Sequence, residues 1–254
     1  MTVYIVRAND KLICRGKRIL LRESDLEILG LDKARAVDFG YCGNGSRMCL
    51  LPVEPELSTP DGYGRFTLRE LMNTTPEMDF RCVARGVHLA YWDRTHRYCG
   101  SCGTETVRAV GEYARVCPSC GTVVYPRISP AIIVAVIRDG RLLLAHNARR
   151  GHGFYSVIAG FVEPGETLEE CVAREVREET DIEVGNIRYM SSQPWPFPDS
   201  LMIAFVCDYK AGEIKVDGDE IDHAYWCAPD ELPEVPPPPS VARALIDWFT
   251  ATYR

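Results

Sequence analysis

The sequence predicts an α+β chain whose C-terminal half is an α/β/α sandwich with a mixed sheet, preceded by a small cysteine-knuckle module and an N-terminal α/β domain. Three observations lead there. From about residue 125 onward, short apolar strand-like runs alternate with two helical stretches. Two C-x2-C pairs, Cys99/Cys102 and Cys117/Cys120, stand fourteen residues apart. Residues 1–95 hold short strand and helix signals separated by Gly- and Asp-containing turns. The expected boundaries are therefore 1–95, 96–124 and 125–254.

Composition narrows the function classes. At 254 residues the chain has room for one large domain or two modest ones, each with its own core. A net charge of −7 without a long basic run argues against a dedicated electrostatic nucleic-acid binder, while leaving room for a local basic patch. No apolar run approaches the ~20 residues of a membrane span, and the opening MTVYIVRANDK lacks the apolar core of a signal peptide. We expect a cytoplasmic protein with no membrane partner. Eleven cysteines in such a chain read as reduced thiols rather than a disulfide scaffold. Cys14, Cys42, Cys49, Cys82, Cys171, Cys207 and Cys227 are scattered and read as small buried side chains.

In chain order, Val3–Arg7, Lys11–Arg15 and Met48–Val53 read as strands, and Phe66–Met72 and Phe80–His96 as helices; this region carries no chemical motif and reads as a packing or dimerisation domain. The two knuckles place Cys99, Cys102, Cys117 and Cys120 around one structural Zn²⁺, closed to water because all four positions are cysteine. A glycine follows each knuckle and lets backbone N–H groups turn toward sulfur. Ala131–Ile137 and Arg141–Ala145 are strands joined across Arg138-Asp139-Gly140, a hairpin signal. Phe154–Val162 is another strand. Ile187–Met190, Leu201–Tyr209, Glu213–Val216 and Ala224–Cys227 continue the sheet, and Val241–Tyr253 is a terminal helix after Pro236–Pro239.

Between these strands lies the most informative stretch, Gly160–Ile182. Pro164-Gly165 is a turn, and Thr167-Leu168-Glu169-Glu170 has the form of a capping box opening a helix to about Thr180. At 100° per residue, Leu168, Cys171, Val172 and Val176 share one side, and Glu169, Glu170, Arg177 and Thr180 face the other. Glu175 and Glu179 fall inside the apolar stripe with Glu178 at its edge, so three carboxylates converge on one patch. Such a patch is unfavourable unless a cation or a positive side chain compensates it, and oxygen-only ligands suit Mg²⁺ or Mn²⁺.

The spacing Gly160, Glu166, then Arg174-Glu175-Val176-Arg177-Glu178-Glu179-Thr180-Asp181-Ile182 resembles the Nudix box of the Nudix hydrolases, with Asp181 where that family usually has Gly. Asp tolerates the left-handed conformation better than most residues, so a small local adjustment is expected. The resemblance implies the α/β/α sandwich and water attacking a diphosphate with Mg²⁺ or Mn²⁺ bound. Glu175 and Glu179 are then metal ligands, Glu178 a ligand or general base, and Arg174 the residue that orients them by pairing with Glu178. The carbonyl of Ala159 is a further ligand that the family implies. Glu220, in the acidic loop VDGDEID, either completes the set or is a solvated loop charge.

Downstream, Gln193-Pro194-Trp195-Pro196-Phe197-Pro198-Asp199-Ser200 reads as a stiff extended segment that is no central strand, since each proline lacks a donor. Its rigid aromatic faces suit stacking of a nucleobase or nicotinamide. With the box and the cysteine knuckles, SQPWPFPDS is similar to the signature of the NADH pyrophosphatase family, bacterial members of which also act as NAD-capped RNA hydrolases. The resemblance implies cleavage of NAD(H) to NMN(H) and AMP by a homodimer. It also implies recognition through Gln193–Ser200, with Tyr125, Ala242 and Glu112 contributing. An ADP-ribose or dinucleoside-polyphosphate hydrolase is the alternative within the enzyme class. A nucleotide-sensing, nucleic-acid-binding regulator is the alternative outside it.

Overall fold

A computed structural model describes residues 1–43, 45–150, 153–216 and 218–254. It divides into two compact units, Met1–Arg127 and Ile128–Arg254. No helix among the described residues is long and apolar enough to cross a membrane.

The first unit runs β1 (Thr2–Ala8), β2 (Lys11–Arg15), α1 (Glu23–Ile28), β3 (Val37–Tyr41), β4 (Arg47–Pro52), β5 (Tyr63–Thr67), α2 (Leu68–Met72) and α3 (Glu77–Thr95), followed by three short strands, β6 (Val107–Arg108), β7 (Arg115–Val116) and β8 (Val123–Val124). Its main sheet has the order β3-β4-β1-β2-β5, with β1 and β4 parallel. Val6, Ile13, Leu21, Leu26 and Leu51 form a core on one face. On α3, Gly86 lets the helix lie close to the sheet: a Cβ there would stand 2.5 Å from Ile5 Cδ1.

Two expectations for this unit are corrected. Phe66 and Thr67 belong to β5, because their backbone pairs with Leu12 and Lys11 of β2, and the helix starts only at Leu68. Thr67 caps that helix, with Glu70 returning to its N–H at 2.6 Å. Cys42 and Cys82, read as scattered small buried side chains, are buried but not separate: they meet across 40 residues of sequence with their Cα atoms 5.3 Å apart, within the span a disulfide bridges.

The second unit consists of β9 (Ser129–Arg138), β10 (Arg141–Asn147), β11 (Tyr155–Ser156), β12 (Ile158–Phe161), α4 (Leu168–Thr180), β13 (Glu183–Trp195), β14 (Ser200–Ala211), β15 (Ile221–Cys227) and α5 (Val241–Tyr253). Seven strands make one sheet of order β11-β10-β9-β14-β13, with β12 added beside β9 and β15 beside β10. Only β9 and β14 run parallel within it, so the sheet is mixed. The period-2 alternation of β9 splits its side chains between two cores. Ile132, Val134 and Val136 meet Cys171, Val172 and Val176 of α4. Ile133, Ala135 and Ile137 meet Leu245, Ile246 and Phe249 of α5. This is the α/β/α sandwich, and each fully buried aliphatic or aromatic side chain in it is worth about 1.5–3 kcal/mol.

The hairpin at Asp139-Gly140 forms as expected, both residues having positive φ, 49° and 72°. The strand expected over 154–162 is broken at Val157 into β11 and β12. Glu213–Val216 is not a strand: the Lys215 N–H donates to Thr180 O at the end of α4 (3.0 Å), which takes the segment off the sheet, while Ile214 and Val216 still pack on the core.

Candidate active site

Helix α4 carries the acidic set, and its ends follow from the residues there. Thr167 accepts from the Glu170 N–H, and Glu170 returns to the Thr167 N–H at 2.8 Å. At the other end Asp181 adopts φ 58° and ψ 24°, the left-handed conformation, and its N–H closes on Arg177 O. Thr180, expected to face solvent, is fully buried; its hydroxyl donates to Val176 O at 2.6 Å, so the polar atom is satisfied within the helix.

The carboxylates are arranged in depth. Glu179 is buried and the Glu175 side chain is 14 % exposed, whereas Glu178 is 56 % exposed. Arg174 stands among them: Nη1 donates to Glu175 Oε1 at 2.9 Å and to Glu178 Oε2 at 3.0 Å. Its other edge grips Glu166 through Nε (2.5 Å) and Nη2 (2.9 Å), and Nη2 also donates to Phe161 O at 3.0 Å. A bidentate guanidinium–carboxylate pair of this kind fixes orientation as well as charge. Arg174 therefore acts as a hub with Glu166 as its anchor. Sequence reasoning placed Glu166 in the motif without giving it this task, and the fixed distance from Glu166 to Arg174 was the signal. The Arg174 guanidinium, helped by the Glu163 N–H, holds the Glu166 carboxyl down to about 2.

Glu175 behaves oppositely. Burial pushes its carboxyl up; Arg174 opposes this, and the charges of Glu178 and Glu220 add to it. Glu220, on the loop before β15, is thus near enough for its charge to be felt at Glu175. The space for Glu175 exists because residue 160 has no side chain: a Cβ on Gly160 would fall 1.9 Å from Glu175 Cδ. Ala159, whose carbonyl is a proposed ligand, precedes it on β12 and pairs with Ile133.

The 193–200 segment is a strand end plus a tight turn rather than an extended run. Gln193, Pro194 and Trp195 close β13 opposite Met202, Leu201 and Ser200 of β14, and residues 196–199 make the turn. Since β13 is an edge strand, the proline is tolerated. Trp195 and Phe197 meet edge to face, centroids 5.3 Å apart. Asp199 accepts from the Ser129 hydroxyl at 2.9 Å and its carbonyl accepts from the Ser129 N–H. Gln193 clamps this segment to α5: its Nε2 donates to Pro239 O (2.8 Å) and its Oε1 accepts from the Val241 N–H (2.9 Å). Ala242, buried in the first turn of α5, is thereby brought next to the 193–200 segment. Glu112 and Tyr125 are exposed residues of the first unit.

The four knuckle cysteines, in the first unit, gather their sulfurs: Cys99 to Cys120 is 3.6 Å, Cys102 to Cys117 3.4 Å and Cys102 to Cys120 3.5 Å. Gly103 and Gly121 take positive φ (74° and 76°), and their N–H groups return to Cys99 O and Cys117 O. The N–H groups of Ser101 and Cys120 point at Cys99 Sγ and Cys117 Sγ. The Ser101 N–H leads the contacts that hold the Cys99 thiol below the usual thiol range, whereas Cys117, despite the Cys120 N–H, is pushed the other way by burial and by the sulfurs of Cys102 and Cys120; four sulfurs gathered without a cation cannot all carry charge, and a bound metal supplies the compensation. Among the described residues these cysteines are the group that brings three or more ligand atoms within 4.8 Å of one another. The glutamates are not drawn so close, because Arg174 stands between Glu175 and Glu178.

Comparison with known proteins agrees with this geometry. A NUDIX domain model matches residues 127–249 and an NADH pyrophosphatase zinc ribbon model matches residues 94–125. The chain is 52 % identical over 175 residues to the NAD-capped RNA hydrolase NudC of Escherichia coli O1:K1 / APEC, covering 69 % of this chain and 68 % of that protein. The same figures hold for NudC of Escherichia coli strain SMS-3-5 / SECEC. A crystal structure of a Nudix hydrolase from Nitrosomonas europaea is similar in fold, with a TM-score of 0.54 at 22 % identity over 61 % of this chain and 92 % of that one. A Nudix domain that follows an NADH pyrophosphatase zinc ribbon, in a chain this close to the NudC proteins, makes the protein a member of the Nudix hydrolase family, in its zinc-ribbon NADH pyrophosphatase branch.

Proposed function

We propose that the chain is a metal-dependent diphosphatase that adds water across the phosphoanhydride of NAD(H), releasing NMN(H) and AMP. The same cleavage removes the NAD cap from an RNA 5′ end and leaves a 5′-monophosphate. The observation that carries this reading is the acidic set of α4, ordered around Arg174 and deepened by the bare Gly160. The identity to the NudC proteins supports the choice of substrate.

The donor set fits a hard divalent cation, Mg²⁺ or Mn²⁺. It offers oxygens only, and the carboxyl of Glu175 is pushed up by burial and by the charges of Glu178 and Glu220, a strain that a cation relieves. Glu175, Glu179, Glu220 and the Ala159 carbonyl would hold it, with Glu178 as a further ligand or as the base. When bound, it offsets charge on the phosphates and lowers the pKa of a bound water. Arg174 keeps Glu175 and Glu178 in fixed rotamers. In the role of base, Glu178, the most exposed of the three helix carboxylates, would accept the proton of the attacking water at Oε1, since Oε2 already accepts from Arg174 Nη1. Trp195 and Phe197 offer ring faces to the nicotinamide or adenine, and Gln193–Ser200 and Ala242 form the recognition set of the second unit; Tyr125 and Glu112 are substrate contacts on the resemblance to the family alone. Zn²⁺ on the four cysteines is structural. On the same reading the protein works as a homodimer in the cytoplasm.

Incubation with NADH and Mg²⁺ or Mn²⁺ is expected to release NMNH and AMP in equal amounts. Absence of that turnover beside good turnover of ADP-ribose would overturn the substrate assignment. NADH, NAD and an NAD-capped RNA competing at fixed metal concentration rank the substrates.

Gln193 is expected to act by holding the segment to α5. Gln193→Ala leaves the Val241 N–H without its partner, and such a loss costs about 1–3 kcal/mol. It is expected to lower kcat/KM on the order of tenfold, mostly through KM; steady-state kinetics check this, and an unchanged KM would count against the clamp.

A further inference from the structure

Glu220 sits on a loop, yet loops hold catalytic ligands only when something rigid supports them. The support here is the end of β10 and the short turn after it. His146 Nδ1 lies 2.6 Å from Asp222 Oδ1. Asn147 Nδ2 donates to Glu220 Oε1 at 3.0 Å. The Ala148 N–H donates to Glu220 O at 3.0 Å. Arg149 donates through Nη2 to Asp219 Oδ2 (3.0 Å) and through Nε to Asp219 O (3.2 Å), and its Nη1 is 3.7 Å from Glu220 Oε2. Residues 146–149 thus engage the whole run from 219 to 222, Ile221 being the ladder partner of Asn147. The pairing of β10 with β15 slips in register between His146 and Asn147, the kind of irregularity that re-aims a side chain beside a site.

The contacts are not equal in kind. The Arg149–Asp219 pair is exposed, 58 % and 85 %, and exposed ion pairs are worth little. The backbone bond from Ala148 fixes where the loop runs but not where the Glu220 carboxylate points. Asn147 alone of the four has its side chain within hydrogen-bond distance of that carboxylate. A neutral amide occupies one lone pair of Oε1 without neutralising the carboxylate, and the exposed Arg149 guanidinium, 3.7 Å from Oε2, is worth little. Resting on the reading of Glu220 as a metal ligand, we propose that Asn147 is a positioning residue that sets the Glu220 carboxylate for the catalytic cation, supported by His146 at the end of β10 and Arg149 in the turn after it. Partners that orient a ligand in this way change metal affinity about 10–100-fold when removed.

The experiment is Mn²⁺ titration of the full-length chain, followed by the electron paramagnetic resonance of free Mn²⁺, for the wild type, Asn147→Ala, Asn147→Asp, Glu220→Gln and the double variant Asn147→Ala/Glu220→Gln. Melting temperatures in EDTA verify that each folds; Asn147→Asp keeps the size of the side chain should the alanine variant melt early. Asn147→Ala and Asn147→Asp are each expected to weaken Mn²⁺ binding about tenfold or more. The double variant is expected to bind no more weakly than Glu220→Gln, because the two residues act through one carboxylate. Unchanged affinity in the Asn147 variants while Glu220→Gln binds weakly overturns the role of Asn147 and leaves Glu220 as a ligand. Additive losses overturn it too, since Asn147 would then act elsewhere. Unchanged affinity in Glu220→Gln refutes the ligand reading itself and the inference with it.

Discussion

Gly160→Ala is expected to abolish most of the turnover while leaving the protein folded. The added Cβ would stand 1.9 Å from Glu175 Cδ and 2.0 and 2.2 Å from its two carboxylate oxygens, far inside contact distance. The backbone of Gly160 is not in the left-handed region, and the three atoms nearest to the added Cβ all belong to the far end of a flexible side chain. The protein therefore relieves the clash by turning Glu175 away rather than by unfolding. That rotation pulls Oε1 off Arg174 Nη1, now 2.9 Å away, and removes a carboxylate from the face proposed to hold the cation. Displacements of about 1 Å among catalytic groups cost on the order of 10²-fold, so a loss of at least that size in kcat is expected. The metal concentration for half-activation should rise with it. Circular dichroism melts check the fold, expected within a few degrees of wild type, and NADH kinetics across a Mn²⁺ series check the rest. Turnover within about threefold of wild type would show that Glu175 is not needed where it stands.

The close approach behind this prediction explains what the sequence could and could not reveal. Helix α4 was legible to its termini because the information is local: Thr167 and Glu170 cap it, the 3.6-residue period sorts Val172 and Val176 from Arg177, and Asp181 takes the conformation its position demands. Thr180 was misplaced because a hydroxyl satisfied by its own helix, on Val176 O, follows no amphipathic rule. The link between Gly160 and Glu175 needed the packing of β12 against α4, which no periodicity encodes. Likewise Ile214 and Val216 supply an apolar alternation that reads as a strand, yet the Lys215 N–H goes to a helix end. In the first unit, β3 and β5 were missed because Gly40 and Gly64 interrupt short runs, and because Thr67-Leu68-Arg69-Glu70 advertises a helix that begins one residue after the strand ends. Cys42 and Cys82 meet across 40 residues of sequence, a distance at which spacing says nothing. Gln193 sat inside a segment read as a ligand surface, and only the structure reveals both ends of its amide joined to the start of α5.

Removal of the zinc is the second large effect expected, and it falls on the fold of the 96–124 module. The three strands there are two residues each, and no run of apolar side chains sits beneath them; Ala114, Cys99 and Cys117 are its buried apolar residues. A segment so poor in core needs a metal to fold, and structural zinc contributes roughly 10–16 kcal/mol in small zinc-finger peptides near neutral pH. What the module offers its own unit depends on that order. Arg115, buried, donates to Thr106 Oγ1 (2.7 Å) and to Asp93 Oδ1 of α3 (2.5 Å), and Arg108 donates to the same aspartate. Tyr113 donates to Phe39 O at 2.7 Å and accepts from Arg85. Without the metal these arginines lose their geometry, and Asp93, held below the usual carboxylate range by them against the cost of burial, is left with its charge uncompensated. Cys102→Ser is expected to take the zinc content from one per chain to near zero, and to open residues 96–124 to limited proteolysis and to fast amide exchange. The first unit should melt well below wild type. Chelation of wild type should reproduce the phenotype, and added zinc should reverse it in wild type but not in the variant. Full protection of 96–124 in a zinc-free protein would mean that the arginine–aspartate contacts, and not the metal, hold the module.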